Sequence, residues 1–397
     1  MRLRRVRVAR VSMPLVRPFR TSFGVQAARD VLLVAVECEA DGRVVEGWGE
    51  CAAHAEPLYN EEFTEAADLV LRGWLVPAVA ALGDTLDAGS VAAACAHVKG
   101  YRAAKAGLEM AVLDAQLRAG GQSLAGHLGG TRRAVDVGVS VGIAPTVGEL
   151  VEQVAGYVAG GYGRVKLKVM PGWDVEPVRA VRAEFPALPL QVDANAGYDH
   201  ADAAQVAQVA TLDQFGLLMI EQPFGPDFVD AHAALAASID TPICLDESIL
   251  SVHHAVTAVE SGACRIVNIK VGRVGGVLEG VRIHDACLER SVPVWCGGML
   301  ETGIGRAANL AMASLPGFEF PADLSASDRY WRRDITEPFA LVPGTSTISV
   351  PTGPGLGVSV DADALAELGA RIDEVWASGT GAATGPTTGP TTSTAST

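Results

Sequence analysis

Leu190-Gln191-Val192-Asp193-Ala194 is a short apolar run closed by a carboxylate, and the construction recurs. Leu217-Leu218-Met219-Ile220-Glu221 and Ile243-Cys244-Leu245-Asp246 repeat it with an acid. Val165-Lys166-Leu167-Lys168 and Ile266-Val267-Asn268-Ile269-Lys270 repeat it with an amine. From Lys168 the intervals to Asp193, Glu221, Asp246 and Lys270 are 25, 28, 25 and 24 residues. A strand, a helix and two short loops occupy about that length. Working outward, strand-like runs cover 135–143, 164–169, 190–194, 217–221, 243–246, 266–271, 292–296 and 318–324, with alanine- and valine-rich helical segments between them. Eight such units predict an α/β fold, a modified (β/α)8 barrel. A doubly wound open sheet is the alternative, but it carries a Gly-rich phosphate loop after its first strand. Ser140-Val141-Gly142-Ile143-Ala144-Pro145 is not one.

Before the barrel, Arg5-Val6-Arg7-Val8-Ala9-Arg10-Val11 alternates with period two, as a half-buried strand does. Two more strands, 31–39 and 43–49, meet at the hairpin signal Asp41-Gly42. Helical patterns follow at 61–80, 88–98 and 103–119. The reading is an α+β capping domain over 1–130, a catalytic barrel over 131–334, and a C-terminal return over 335–377 that packs on the capping domain. The return is read as short strands at 347–350 and 357–360 and a helix after Asp361. Residues 378–397 contain only Gly, Ala, Pro, Ser and Thr. That composition builds no core and reads as a disordered tail.

The net charge of −15 argues against nucleic acid or an anionic membrane as partner. No uninterrupted apolar stretch spans a bilayer. Seven cysteines without a CxxC spacing read as reduced thiols of a cytoplasmic protein. The expected partner is a small-molecule carboxylate.

The chain has 26 arginines but only five lysines, and three of the five, Lys166, Lys168 and Lys270, fall in apolar barrel strands. Arginine stays protonated at any relevant pH, whereas a buried lysine can lose its proton. Asp193, Glu221 and Asp246 each close a strand at the end where barrel active sites are built. Three converging carboxylates repel unless a cation joins them. All-oxygen ligation favours Mg2+, with Mn2+ able to substitute. A metal flanked by amines suits abstraction of a proton α to a carboxylate, where charge develops as an enediolate.

Lys166-Leu167-Lys168, Asp193-Ala194-Asn195, Glu221-Gln222-Pro223, Asp246-Glu247-Ser248 and Asn268-Ile269-Lys270 together resemble the enolase superfamily in its muconate-lactonising-like branch. Residues 295–305, opening Trp295-Cys296-Gly297-Gly298-Met299, and Pro321-Ala322-Asp323-Leu324-Ser325 resemble the o-succinylbenzoate synthase and N-acylamino acid racemase family within it. The resemblance extends to Met13-Pro14-Leu15 and Trp48-Gly49-Glu50. It implies that Asp193, Glu221 and Asp246 bind Mg2+ and that Lys168 is the base. Lys270 would stabilise the enediolate as a cation or serve as a second base. Lys166 would hold the substrate carboxylate and depress the pKa of Lys168. It also implies a homo-oligomer.

Further readings concern the surroundings. Asn195 and Asn268 either bond substrate or support turns, and Glu247 sits behind a lysine or the metal. Gly297 and Gly298 let backbone approach substrate, with Met299 beside them. Arg17 and Arg20 either reach a substrate carboxylate or are ordinary surface arginines; Phe19 and Tyr59 add apolar lining. Arg273, three residues past Lys270, favours that amine as a base. The expected activity is syn-dehydration of a 2-succinyl-6-hydroxy-cyclohexadiene carboxylate in menaquinone biosynthesis. N-Acylamino acid racemisation by the same lysines is the alternative, and a catalytically silent barrel is the reading from a different class.

Overall fold

The computed structural model describes residues 1–379. Three long antiparallel strands open it: β1 (Arg2–Thr21), β2 (Gly24–Ala40) and β3 (Arg43–Cys51). Both faces of this sheet are buried, because two cores use it. Val6, Val8, Leu32, Val34 and Val36 face the helices of the capping unit. Val11, Met13, Val31 and Leu33 join the barrel core. The helix Arg102–Ala119 lies between the two cores and is buried on most sides. Its Gly107 lies against Gly49 of β3 so closely that a Cβ on Gly49 would run into helix backbone, as close helix–strand crossing requires.

Seven parallel strands follow: β4 (Ala134–Asp136) precedes them, then β5 (Val139–Val141), β6 (Val165–Lys168), β7 (Leu190–Asp193), β8 (Ile220–Glu221), β9 (Ile243–Leu245), β10 (Ile266–Ile269) and β11 (Val294–Cys296), paired in sequence order from β5 to β11. The expected eighth strand over 318–324 is a correction. It bonds through isolated bridges only, Phe318 with Val294 and Ala322 with Val137. These bridges nonetheless join the two edges of the sheet, so the ring closes with its last segment too irregular to form a ladder. The expected first strand over 135–143 also divides, because β4 pairs antiparallel with β12 (Thr347–Ser349).

The C-terminal return is likewise split. β12 stays with the barrel through β4, no strand forms at 357–360, and β13 (Arg371–Ala377) adds an edge to β1 of the capping sheet. The helix expected after Asp361 forms over Ala362–Glu367, with Asp361 as its cap, and β13 is a strand that no pattern in the sequence marks. Ser378, assigned to the tail, still bonds Arg4; the rest of the tail from 380 lies outside the described residues. Among the described residues no helix is long and apolar enough to cross a membrane, and all seven cysteines are unpaired.

Capping unit and barrel are joined by buried carboxylates at helix N-termini. The helix Val277–Glu289 begins on Gly276, which has no side chain to cap it. Glu109 supplies the cap from the other unit, accepting from Val277 N and Leu278 N, both at 2.9 Å. Glu50 does the same for the helix Gly303–Ala313, accepting from Thr302 N, Thr302 Oγ1 and Gly305 N. Burial pushes Glu109 up to about 7 even against its two donors. The folded state therefore keeps a proton that the unfolded chain releases near pH 4.5, and stability falls as pH rises through the interval from 4.5 to 7. Glu109→Gln removes this titration. The loss of unfolding free energy between pH 5 and pH 8 should shrink in the variant by on the order of 3 kcal/mol. Denaturant unfolding at the two pH values measures it; parallel slopes in wild type and variant would contradict it.

Candidate active site

Strand register brings the polar ends together. Lys168 pairs with Asp193 across β6 and β7, and Asp193 with Glu221 across β7 and β8. Asp246 follows β9 directly, and Lys270 follows β10. Residues two apart on a strand share a face, so Lys166 and Lys168 both point inward. All three lysines line one cleft, with Ser140, Asn195, Gly298, Met299 and Asp323 from the barrel. Phe19, Thr21, Phe23, Gln26, His54 and Tyr59 close it from the capping unit, and Tyr330 from the segment after the ring.

The charges are tightly paired. Lys166 Nζ lies 3.0 Å from Asp193 Oδ2, 3.1 Å from Glu221 Oε2 and 2.8 Å from Asp323 Oδ2. Lys168 Nζ donates to Asp193 Oδ2 and Asn195 Oδ1, both at 2.6 Å. Lys270 Nζ donates to Asp246 Oδ2 at 2.6 Å, and Arg273 pairs with the other Asp246 oxygen. Burial, reinforced by Lys166 and Lys270, lowers the pKa of Lys168 although Asp193 opposes it. Burial also works against the charge on Lys270, but Tyr59, Glu221, Glu247 and Asp193 outweigh it and hold that ammonium above its usual range. The two amines are therefore unlike. Arg273 bonds Asp246, Ile249 O and Asn268 O, so any influence on Lys270 runs through their shared carboxylate.

Among the described residues no three His, Cys, Asp or Glu side chains surround one point as an ion requires. Asp193, Glu221 and Asp246 turn their oxygens onto lysine and arginine instead. The donor chemistry still fits a hard divalent cation. All three carboxylates are fully buried, and burial with the adjacent Asp193 charge pushes Glu221 upward. Glu247 is pushed up to about 7 by burial and by Asp193, and its buried Oε2 has no partner. The lysines hold Asp193 below the usual carboxylate range, whereas Glu221 and Glu247 are left raised, and a set of buried oxygen ligands of this kind suits Mg2+.

Several surrounding readings change. Asn268 donates to Glu221 Oε1 at 2.7 Å and accepts from Gly297 N, a supporting role. Asn195 links Lys168 to Glu247. The glycines are held close to protein neighbours: a Cβ on Gly297 would sit 2.6 Å from Lys270 Cε, and one on Gly298, which lines the cleft, 2.5 Å from Asp323 O. Tyr59 is more than lining, since its hydroxyl donates to Asp246 Oδ1 at 3.1 Å and receives Lys270. Arg17 and Arg20 are exposed and outside the cleft. Asp323, Gln26 and His54 were not singled out. Asp323 could have been found as the polar end of the eighth strand-like run; Gln26 lies on β2 and His54 just beyond β3, with no motif.

Residues 3–129 match the mandelate racemase/muconate lactonizing enzyme N-terminal domain, and residues 149–364 match the enolase C-terminal domain-like family. An N-succinylamino acid racemase from Amycolatopsis is 55% identical over 90% of this chain and 95% of its own. An o-succinylbenzoate synthase from Geobacillus kaustophilus is 46% identical over 88% and 92%. The solved structure of an enolase superfamily member from Listeria innocua superposes with a TM-score of 0.87 at 36% identity, covering 94% of this chain and 99% of that one.

Proposed function

The chain belongs to the mandelate racemase/muconate lactonizing enzyme family of the enolase superfamily, and from that premise we propose that it is an o-succinylbenzoate synthase serving menaquinone biosynthesis. One observation carries the reading: Lys168 on β6 and Lys270 just after β10 line one cleft, with three carboxylates on the strand ends between them. Asp193, Glu221 and Asp246 are the residues to hold a divalent ion, Mg2+ or Mn2+ in its place. When bound, the ion supplies charge neutralisation for the substrate carboxylate and its developing enediolate.

Lys168 takes the α-proton, its neutral form favoured by burial and by Lys166. The C–H pair moves into the substrate's enediolate. Lys168, now an ammonium, returns the proton to the departing hydroxide on the same face, so the C–O bond breaks and water leaves. Lys270 remains a cation beside the developing oxyanion. Lys166, fixed by Asp193, Glu221 and Asp323, keeps positive charge next to Lys168. The cleft, lined by Phe19 and Met299 among others, keeps water from the carbanion.

N-Succinylamino acid racemisation is the second reading, favoured by the 55% identical relative. There Lys168 and Lys270 exchange the α-proton on opposite faces. Incubation of both substrates in D2O tests the two together. Dehydration faster than α-deuteration of N-succinylamino acids supports the first reading, and the reverse supports the second. Absence of both with the metal-loaded protein refutes the enzyme reading.

A further inference from the structure

Gly298, Met299 and Leu300 form a wall of the cleft beyond the end of β11, where no ladder holds them. Leu300 has φ +56°, a left-handed conformation that a residue with a Cβ keeps only under constraint. Glu301 supplies the constraint by folding back, its Oε2 accepting from Met299 N at 2.8 Å. Its Oε1 accepts from Asn309 Nδ2 at 2.9 Å, which latches the wall to the helix Gly303–Ala313. The wall is therefore placed wherever the start of that helix is placed.

The helix start is in turn held by the capping unit. Both oxygens of Glu50, on β3, lie 3.1 Å from Thr302 N. Oε2 also accepts from Thr302 Oγ1 at 2.7 Å and from Gly305 N at 3.0 Å. The two carboxylates converge on Gly305, where a Cβ would lie 2.8 Å from Glu301 Cβ and 2.9 Å from Glu50 Oε2. Both are buried, and neither lines the cleft. Arg29 is buried near them, and Glu50 and Glu301 favour its charge against the cost of burial.

At its other end the wall meets a catalytic amine. Asn268 Oδ1 accepts from Gly297 N at 2.9 Å, and a Cβ on Gly297 would lie 2.6 Å from Lys270 Cε. The stem of Lys270 thus packs on the backbone that leads into the wall. Lys168 is held instead by Asp193 and Asn195.

We propose that Glu50 is a positioning residue for Lys270: through Thr302, Glu301 and the segment from Gly297 to Leu300, it lets the capping unit set the alignment of one amine and not the other. The inference rests on the reading that Lys168 and Lys270 face opposite sides of the substrate α-carbon. It gives a buried carboxylate outside the cleft a role in one of the two proton transfers.

The test follows α-deuteration of the two enantiomers of N-succinylphenylalanine in D2O, using the Mg2+-loaded full chain. Lys270→Ala identifies the enantiomer whose proton Lys270 removes, because that one takes up no deuterium. In Glu50→Gln an amide N–H replaces one of the oxygens that face the N–H donors of the helix start. Exchange of the Lys270 enantiomer should then slow about tenfold or more, and that of the Lys168 enantiomer less than about threefold. Thr302→Val removes only the bond from Oγ1 and should show the same asymmetry at about threefold, which serves if Glu50→Gln does not fold. A merely structural role lowers Tm and slows both enantiomers equally. That result, or unaltered exchange in both folded variants, overturns the proposal. Crystal structures of wild type and Thr302→Val read the placement without turnover: the wall and Lys270 Cε should move together relative to Lys168, and an unmoved pair counts against the proposal. A wild type that exchanges neither enantiomer sinks the two-face reading alone, and symmetric slowing sinks this one alone.

Discussion

Lys168→Ala lowers kcat by on the order of 10^4-fold in dehydration and racemisation alike, with KM changed little. Of the three cleft lysines it alone has its pKa lowered: burial, Lys166 and Lys270 disfavour its charge, against Asp193 and Glu221. Lys168→Arg gives no rescue, because a guanidinium stays protonated in any such environment. Asp193 keeps Lys166 as a partner when Lys168 is lost, so circular dichroism and Tm should show a folded protein. Retention of more than about a tenth of wild-type kcat, against the usual acid–base contribution, would remove Lys168 from the mechanism. Lys270→Ala separates the two reactions. It leaves one face of the α-carbon without a base, so only one enantiomer of an N-succinylamino acid takes up deuterium.

Chelation of divalent cations with EDTA abolishes turnover, and Mg2+ or Mn2+ restores it. A thermal readout stands beside activity. A cation bound to the folded state alone at a hundred times its Kd adds about 2.7 kcal/mol, which raises Tm by several degrees. The gain disappears in Asp246→Asn, which removes one of the three carboxylate ligands. That variant also starts from a lower Tm, since Lys270 and Arg273 both pair with Asp246 in a fully buried setting. Breaking a buried pair of this kind costs about 3–5 kcal/mol. An unchanged Tm on adding Mg2+ to the stripped wild-type protein would count against the ligand assignment.

Much of the barrel was legible in the chain, because it is a local repeat. Each strand end is a short apolar run closed by a charged residue, and the 24–28-residue spacing sets the strand order without any long-range information. The scarcity of lysine marked Lys166, Lys168 and Lys270 for the same reason: burial of a titratable amine is costly, so its presence in an apolar run carries meaning. The strand over 318–324 was legible only as an apolar run. Whether it forms a ladder depends on two edges, at Val137 and Val294, that are distant in sequence. β13 escaped notice because its partner, β1, lies more than 360 residues away.

The opening stretch, Leu190 to Ala194, shows the division most clearly. Its alternation and its closing Asp193 placed a carboxylate at a strand end from sequence alone. Only the folded chain decided what that carboxylate meets: Lys166 and Lys168 from one neighbouring strand, and Glu221 beside it on the other. Periodicity specifies which face a side chain occupies, since that follows from backbone geometry within a few residues. It does not specify partners across strands, nor the capping segments that bring Tyr59, His54 and Gln26 over the cleft. Those contacts come from packing between units distant in sequence, where charge pairing and desolvation set which amine keeps its proton.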